Sequence, residues 1–184
     1  AASLENVSTH RMARTPDGTK AVLCSGTGAA VLIDLNSGQQ DLKFKISDFG
    51  NNDSLTVNSD ASLAFVGTPR GFLKVVSLKD GKTIGRLNIG ELIELPGVAL
   101  TALAVDSTGV NIAVGTSSGK VVVVDTNELK VVGQPFSGEG SIVGLKFAGT
   151  SKRLNVVTSK KQLATCSEDF TSSKLLTIQP TDRP

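Results

Sequence analysis

The stretch AVGTSSGKVVVVD, residues 113–125, decides the fold of this 184-residue chain. Two runs of small and β-branched residues flank the polar turn Ser117-Ser118-Gly119, which is the pattern of two antiparallel strands joined by a tight hairpin. The same pattern returns as VLCSGTGAAVLID over 22–34, AFVGTPRGFLKVVS over 64–77 and VVTSKKQLATCS over 156–167. A hairpin that recurs at this spacing indicates a repeat protein.

The four copies follow one another at intervals of about 42 to 48 residues. In the third copy, short strand segments are predicted over 103–105, 111–115, 120–125 and 129–132, separated by turn residues. The copies span about 8–47, 53–90, 100–134 and 141–179 of a single domain. The sequence therefore predicts an all-β fold of about 16 strands, arranged as four consecutive four-stranded antiparallel sheets.

Two columns of the repeat alignment have a physical explanation. The turn between the second and third strands carries Gly28, Gly71 and Gly119 in the first three copies and Lys161 in the fourth. We expect a positive φ at this position, which glycine adopts without steric cost. The first strand carries one apolar residue in every copy, suited to packing between neighbouring sheets: Met12, Leu55, Leu103 and Leu145.

A period of this length with four strands per unit is typical of a β-propeller blade, and the chain resembles the WD-repeat propellers. Thr15-Pro16-Asp17-Gly18 is similar to the family's turn between the first two strands, and Val124-Asp125 stands where its Trp-Asp pair would stand. The chain has no Trp, so the hydrogen-bonded tetrad of the family cannot form. Only the hydroxyl residue of the tetrad remains in every copy. These four aligned residues, which we call the hydroxyl column, are Ser25, Thr68, Thr116 and Thr158.

The resemblance also raises the question of ring closure. Propellers have about 4 to 8 blades, so four copies describe either an incomplete ring or a rare four-bladed ring. We favour the incomplete ring, because four copies fall at the bottom of that range.

Composition excludes several function classes. The net charge is +2 and aromatic residues make up 4% of the chain, which disfavours base stacking on nucleic acid. One His and two Cys cannot form a four-ligand zinc site without carboxylates, and nothing near His10 resembles a nucleophile motif. We therefore expect no catalytic site, no metal and no cofactor. Two Cys in a chain of this length favour a reducing compartment, and we expect a cytoplasmic protein.

Candidate partner-binding residues come from the repeat alignment and from its one insertion. Arg70, Lys120, Lys160 and Lys161 fall at the turns between second and third strands, which all open on one rim. They form either a positive ridge for a partner or solvated lysines that blunt aggregation. The insertion over 90–97 contains Leu92, Ile93 and Leu95, which either anchor another protein or cover the end of a sheet.

The leading functional hypothesis is a non-enzymatic scaffold for protein–protein interaction inside a larger assembly. Its partners would be other protein subunits, including a chain that completes the propeller. The alternative is a propeller-type guanine-nucleotide exchange factor for a small GTPase in membrane trafficking. A quinone-dependent propeller dehydrogenase is disfavoured, because enzymes of that class generally have Trp-rich blades and this chain has no Trp.

Overall fold

The structure is a computed structural model that describes residues 9–46 and 54–176. Blade 1 consists of β1 (Thr9–Arg14), β2 (Lys20–Ser25), β3 (Ala29–Asp34) and β4 (Gln40–Lys45). Blade 2 consists of β5 (Ser54–Val57), β6 (Leu63–Gly67), β7 (Phe72–Ser77) and β8 (Thr83–Asn88). Blade 3 consists of β9 (Leu100–Val105), β10 (Asn111–Thr116), β11 (Lys120–Asp125) and β12 (Lys130–Ser137). Blade 4 consists of β13 (Ile142–Phe147), β14 (Leu154–Thr158), β15 (Leu163–Cys166) and β16 (Ser173–Leu176).

Each blade is an antiparallel meander in which every strand pairs with the next one along the chain. The helix in the described ranges, α1 (Ile89–Leu92), has four residues and lies between blades 2 and 3. The predicted all-β fold of four four-stranded blades is therefore confirmed. The predicted copy ends at 8, 47, 53 and 177–179 lie outside the described residues, as does the side chain of His10.

The first strand of each blade lies innermost. Contacts run from β1 to β5, from β5 to β9 and from β9 to β13, so consecutive blades meet through their first strands. One cavity of about 310 Å³ is lined by residues of all four first strands, among them Arg11, Ser54, Thr101 and Gly144. The blades are thus arranged around a common centre, as in a propeller.

Three hydrophobic cores hold the blades together, and each lies between two consecutive sheets. Val22 and Val66 belong to the core between blades 1 and 2, and Phe65 and Val122 to the core between blades 2 and 3. The core between blades 3 and 4 includes Val123, Leu154 and Cys166. Burying an aliphatic or phenyl side chain contributes about 1.5 to 3 kcal/mol, so the interfaces between blades carry most of the apolar stabilisation.

The apolar column of the first strands shows where this packing stops. Leu55, Leu103 and Leu145 pack against the three cores. Met12, at the same position in blade 1, is 64% exposed. The column therefore contacts the preceding blade, and blade 1 has no preceding blade among the described residues.

Candidate functional site

The turns between the second and third strands of the blades share one hydrogen-bonded geometry. In each of them a backbone N–H donates to the carbonyl oxygen three residues earlier: Gly28 to Ser25 (3.0 Å), Gly71 to Thr68 (3.2 Å), Gly119 to Thr116 (3.3 Å) and Lys161 to Thr158 (3.0 Å). The donor residue has φ of 83° at the three glycines and 62° at Lys161. The predicted left-handed position is confirmed, and the fourth blade keeps it with a lysine.

The side chains of the hydroxyl column form hydrogen bonds with the backbone of these turns. Thr116 Oγ1 accepts the N–H of Lys120 and donates to its carbonyl oxygen, both at 3.0 Å. Thr68 Oγ1 accepts the N–H of Phe72 at 3.1 Å, and Thr158 Oγ1 accepts that of Gln162 at 3.3 Å. All four hydroxyl residues are buried. Their hydroxyl groups satisfy backbone groups at the turns, which explains why this column persists without the Trp-Asp pair.

The connections between blades lie on the same rim as these turns. Gly28 O accepts the N–H of Ile46 at 2.8 Å, and Gly71 O accepts that of Ile89 at 2.8 Å. Gly119 O accepts the N–H of Gly138 at 3.0 Å. Each chain segment that leaves an outer strand is therefore fixed to the turn of its own blade. We call the four turns and these connections the turn rim.

The structure brings the four predicted basic residues to the turn rim. Arg70, Lys160 and Lys161 are exposed at turns, and Lys120 is half-buried at the start of β11. Glu91 and Glu94 belong to the segment fixed to Gly71 and therefore lie on the same rim, and so does Glu139, whose N–H donates to Gln162 Oε1 at 2.9 Å. Basic turns and acidic connections thus alternate.

The insertion between blades 2 and 3 places its three apolar residues differently. Asn88 caps α1, its side chain accepting the N–H of Glu91 at 3.3 Å. Ile93 is 4% exposed and belongs to the core between blades 2 and 3, and Leu95 is half-buried against that core. Leu92 is 50% exposed. Ile93 and Leu95 therefore cover the sheet end, whereas Leu92 lies on the surface. That Leu92 anchors another protein stays a prediction.

The remaining reactive groups belong to structural positions. Burial raises the pKa of the Cys24 thiol to about 12 and that of the Cys166 thiol to about 11, so neither is a thiolate at neutral pH. Both cysteines are free. Within residues 9–46 and 54–176, no group of three or more His, Cys, Asp or Glu side chains is placed to hold a metal ion. No helix in these ranges is long and apolar enough to cross a membrane.

Comparison with solved structures supports the propeller fold. The hydrazine synthase of Kuenenia stuttgartiensis matches with a TM-score of 0.71 over 91% of this chain, at 12% identity. The chain spans about half the length of that synthase chain, of which 49% is covered. A likeness at this identity shows the fold alone. No curated protein matches the sequence.

The family comparison is more specific and corrects one expectation. A family model described as "Nucleolar protein 10-like, N-terminal domain", a β-propeller, matches residues 8–183. The family name points to the nucleolus, so the expected cytoplasmic location is wrong. Composition misled us here because a reducing compartment does not distinguish cytoplasm from nucleus. The match covers nearly the whole chain, which therefore belongs to the Nucleolar protein 10-like N-terminal β-propeller family.

Proposed function

We propose that this propeller is a non-enzymatic scaffold in a nucleolar protein assembly, and that the turn rim contacts an acidic protein surface. The observation that carries this proposal is the placement of Arg70, Lys160 and Lys161 on one rim by turns of identical geometry. A rigid backbone presents these charges at fixed spacing, which favours electrostatic complementarity with a protein partner. The exposed Leu92 on the same rim adds an apolar contact.

The other hypotheses gain no support from the residues on this rim. No observation favours a guanine-nucleotide exchange factor. The buried thiols and hydroxyls of the blades serve packing and turn closure, so they are poor candidates for nucleophiles. The alternation of basic turns with Glu91, Glu94 and Glu139 supports a partner with a patterned surface rather than a uniform polyanion.

The test is a charge reversal on the turn rim with a matched reversal on the opposite rim. The variant R70E/K120E/K160E changes three turn-rim positions, and K79E/K130E/K152E makes the same change in net charge at exposed residues around the opposite turns. Tagged versions of both are assayed for association with their nucleolar partners at increasing salt. We expect the first variant to associate more slowly, with a weaker salt dependence, and the control to behave as the parent.

Both variants should unfold at nearly the same urea concentration as the parent, because five of the six substituted residues are exposed, the sixth, Lys120, is only half-buried, and surface charges contribute little to stability. Unchanged association of R70E/K120E/K160E at physiological salt would show that the turn rim is solvated surface that binds no partner. An equal loss in the control variant would show that net charge, rather than this rim, governs assembly.

A further inference from the structure

The insertion over 90–97 is fixed to the two blades that flank it. On the side of blade 2, the Gly90 N–H donates to Gly71 O at 3.3 Å, and a Cβ atom at Gly90 would lie 2.9 Å from Leu95 O. Directly after the insertion, Ala99 O accepts the N–H of Ser117, in the turn of blade 3, at 2.9 Å. The insertion is therefore a closely packed element on the turn rim, with backbone contacts to the turns on both sides.

The outer surface of this insertion is acidic and partly aliphatic. Leu92 is 50% exposed, and the side chains of Glu91 and Glu94 are exposed on either side of it in the sequence. The insertion contains no Lys or Arg. Among the residues that the structure describes, neither carboxylate has an ion pair or a side-chain hydrogen bond. These groups are thus available to a partner.

The backbone at Glu94 is strained without an evident structural benefit. Glu94 follows the C-cap of α1 and has φ 58°, a conformation that favours glycine. Of the other non-glycine residues with positive φ in the described ranges, Ala61 and Phe170 are buried, and Leu129 packs against the core between blades 2 and 3. Lys161 occupies the glycine position of the fourth turn. Burial offsets strain in the first three, whereas the exposed Glu94 side chain gains no such contact, which indicates a functional reason for it.

We propose that the insertion over 90–97 binds a basic polypeptide segment that carries aliphatic side chains. Glu91 and Glu94 would meet its Lys or Arg side chains, and Leu92 would contact its aliphatic groups. Charge complementarity supports this occupant, and the negative charge of the insertion repels nucleic acid. The proposal rests on the turn rim being a partner surface. It adds an acidic contact to the basic one at Arg70, so that the partner presents both signs of charge.

Fluorescence anisotropy of the 184-residue chain tests the proposal with three labelled probes. They are a peptide of leucines interspersed among lysines, the same peptide with glutamate for each lysine, and a single-stranded oligouridine. We expect the lysine peptide to bind saturably and more weakly as salt rises. E91Q/E94Q should weaken its binding at least about tenfold. The control E128Q/E168Q makes the same charge change at exposed glutamates on the opposite rim and should bind as the parent does.

A second pair of variants tests the aliphatic contact. Leu92→Ala should weaken binding of the lysine peptide, because it removes the exposed apolar side chain of the insertion. Ile84→Ala truncates a side chain of β8 that is 61% exposed and should leave binding unchanged. An equal loss in both variants would show that the peptide binds exposed apolar surface without preference for the insertion.

Substitutions at Glu94 separate binding from stability. Glu94→Gly should weaken the lysine peptide and unfold at an equal or higher urea concentration than the parent, because glycine adopts this φ without strain. Glu94→Gln keeps the strain and loses the charge, so it should weaken the peptide as much at an unchanged urea midpoint. A lower midpoint for Glu94→Gly would instead show that Glu94 has a structural role.

The charge reversal R70E/K120E/K160E distinguishes this proposal from the proposed function. It removes positive charge near the insertion, so it should bind the lysine peptide at least as tightly as the parent. Unchanged association of that variant with nucleolar partners would count against the proposed function. Absence of saturable binding of the lysine peptide, equal or tighter binding of the glutamate peptide or oligouridine, or unchanged binding by E91Q/E94Q would each overturn the inference drawn here about the insertion.

Discussion

The turn rim makes a quantitative prediction about Gly119. A Cβ atom there would lie 2.1 Å from Gly138 O and 2.7 Å from Gly140 O, both in the connection to blade 4. Gly119→Ala must therefore displace this connection and break the hydrogen bond from the Gly138 N–H, and it must also hold alanine at φ 83°. The left-handed conformation costs about 1 to 2 kcal/mol, and the lost hydrogen bond about 1 kcal/mol. We expect the free energy of unfolding to fall by about 3 kcal/mol.

Two further variants separate the collision from the backbone conformation. Gly38 has φ 70° with no atom within 4 Å of its Cβ position, so Gly38→Ala should cost only about 1 kcal/mol. Lys161→Gly should be neutral or stabilise by up to about 1 kcal/mol, because it relieves a left-handed lysine. Urea unfolding at constant m-value measures all three. Equal destabilisation by Gly119→Ala and Gly38→Ala would refute the argument that the connection rests on the turn.

Two other predictions concern titratable groups. Both cysteines should react as free thiols after denaturation without reductant, and only slowly in the native chain, because burial raises their pKa values to about 12 and about 11; an intrachain disulfide would contradict this. Hydrogen bonds from the Thr15 hydroxyl, the Thr19 backbone and the Thr19 hydroxyl lower the pKa of Asp17 from 3.8 to about 2. Its stabilising contribution is therefore present at neutral pH and lost as pH falls through about 2, and an NMR titration should show Thr15→Val moving the midpoint upward.

The blade architecture was predictable because it depends on local signals that recur. The turn glycines must have positive φ, the first-strand column must face a neighbouring sheet, and the β-branched runs have a period of two. The alignment between copies therefore predicts where each strand begins to within a few residues. β9 begins at Leu100, three residues before the predicted start, because its hydrogen bonds extend past the apolar column to the connection.

The candidate site was only partly predictable. Spacing alone placed Arg70 and Lys160 at equivalent turns, but it gave no information on what else reaches that rim. Glu139 joins it through a hydrogen bond to Gln162, 23 residues away. Ile93 and Leu92 are adjacent in sequence, and the short helix α1 turns one into the core and the other toward solvent. A helix of four residues has too little periodicity to reveal which side is buried.

The two end faces of the propeller segment are chemically different, which bears on ring closure. The first face of blade 1 keeps the apolar residues of an interface between blades, with Met12 and Leu23 at positions where Leu55 and Val66 pack in blade 2. The last face of blade 4 carries Lys146 on the innermost strand β13 and Asn155 on the adjacent strand β14. Closing a four-bladed ring would press these faces together and would require a polar partner for the Lys146 ammonium group among aliphatic side chains. The apolar Met12 and Leu23 supply no such partner, so we expect the ring to stay open between blades 4 and 1.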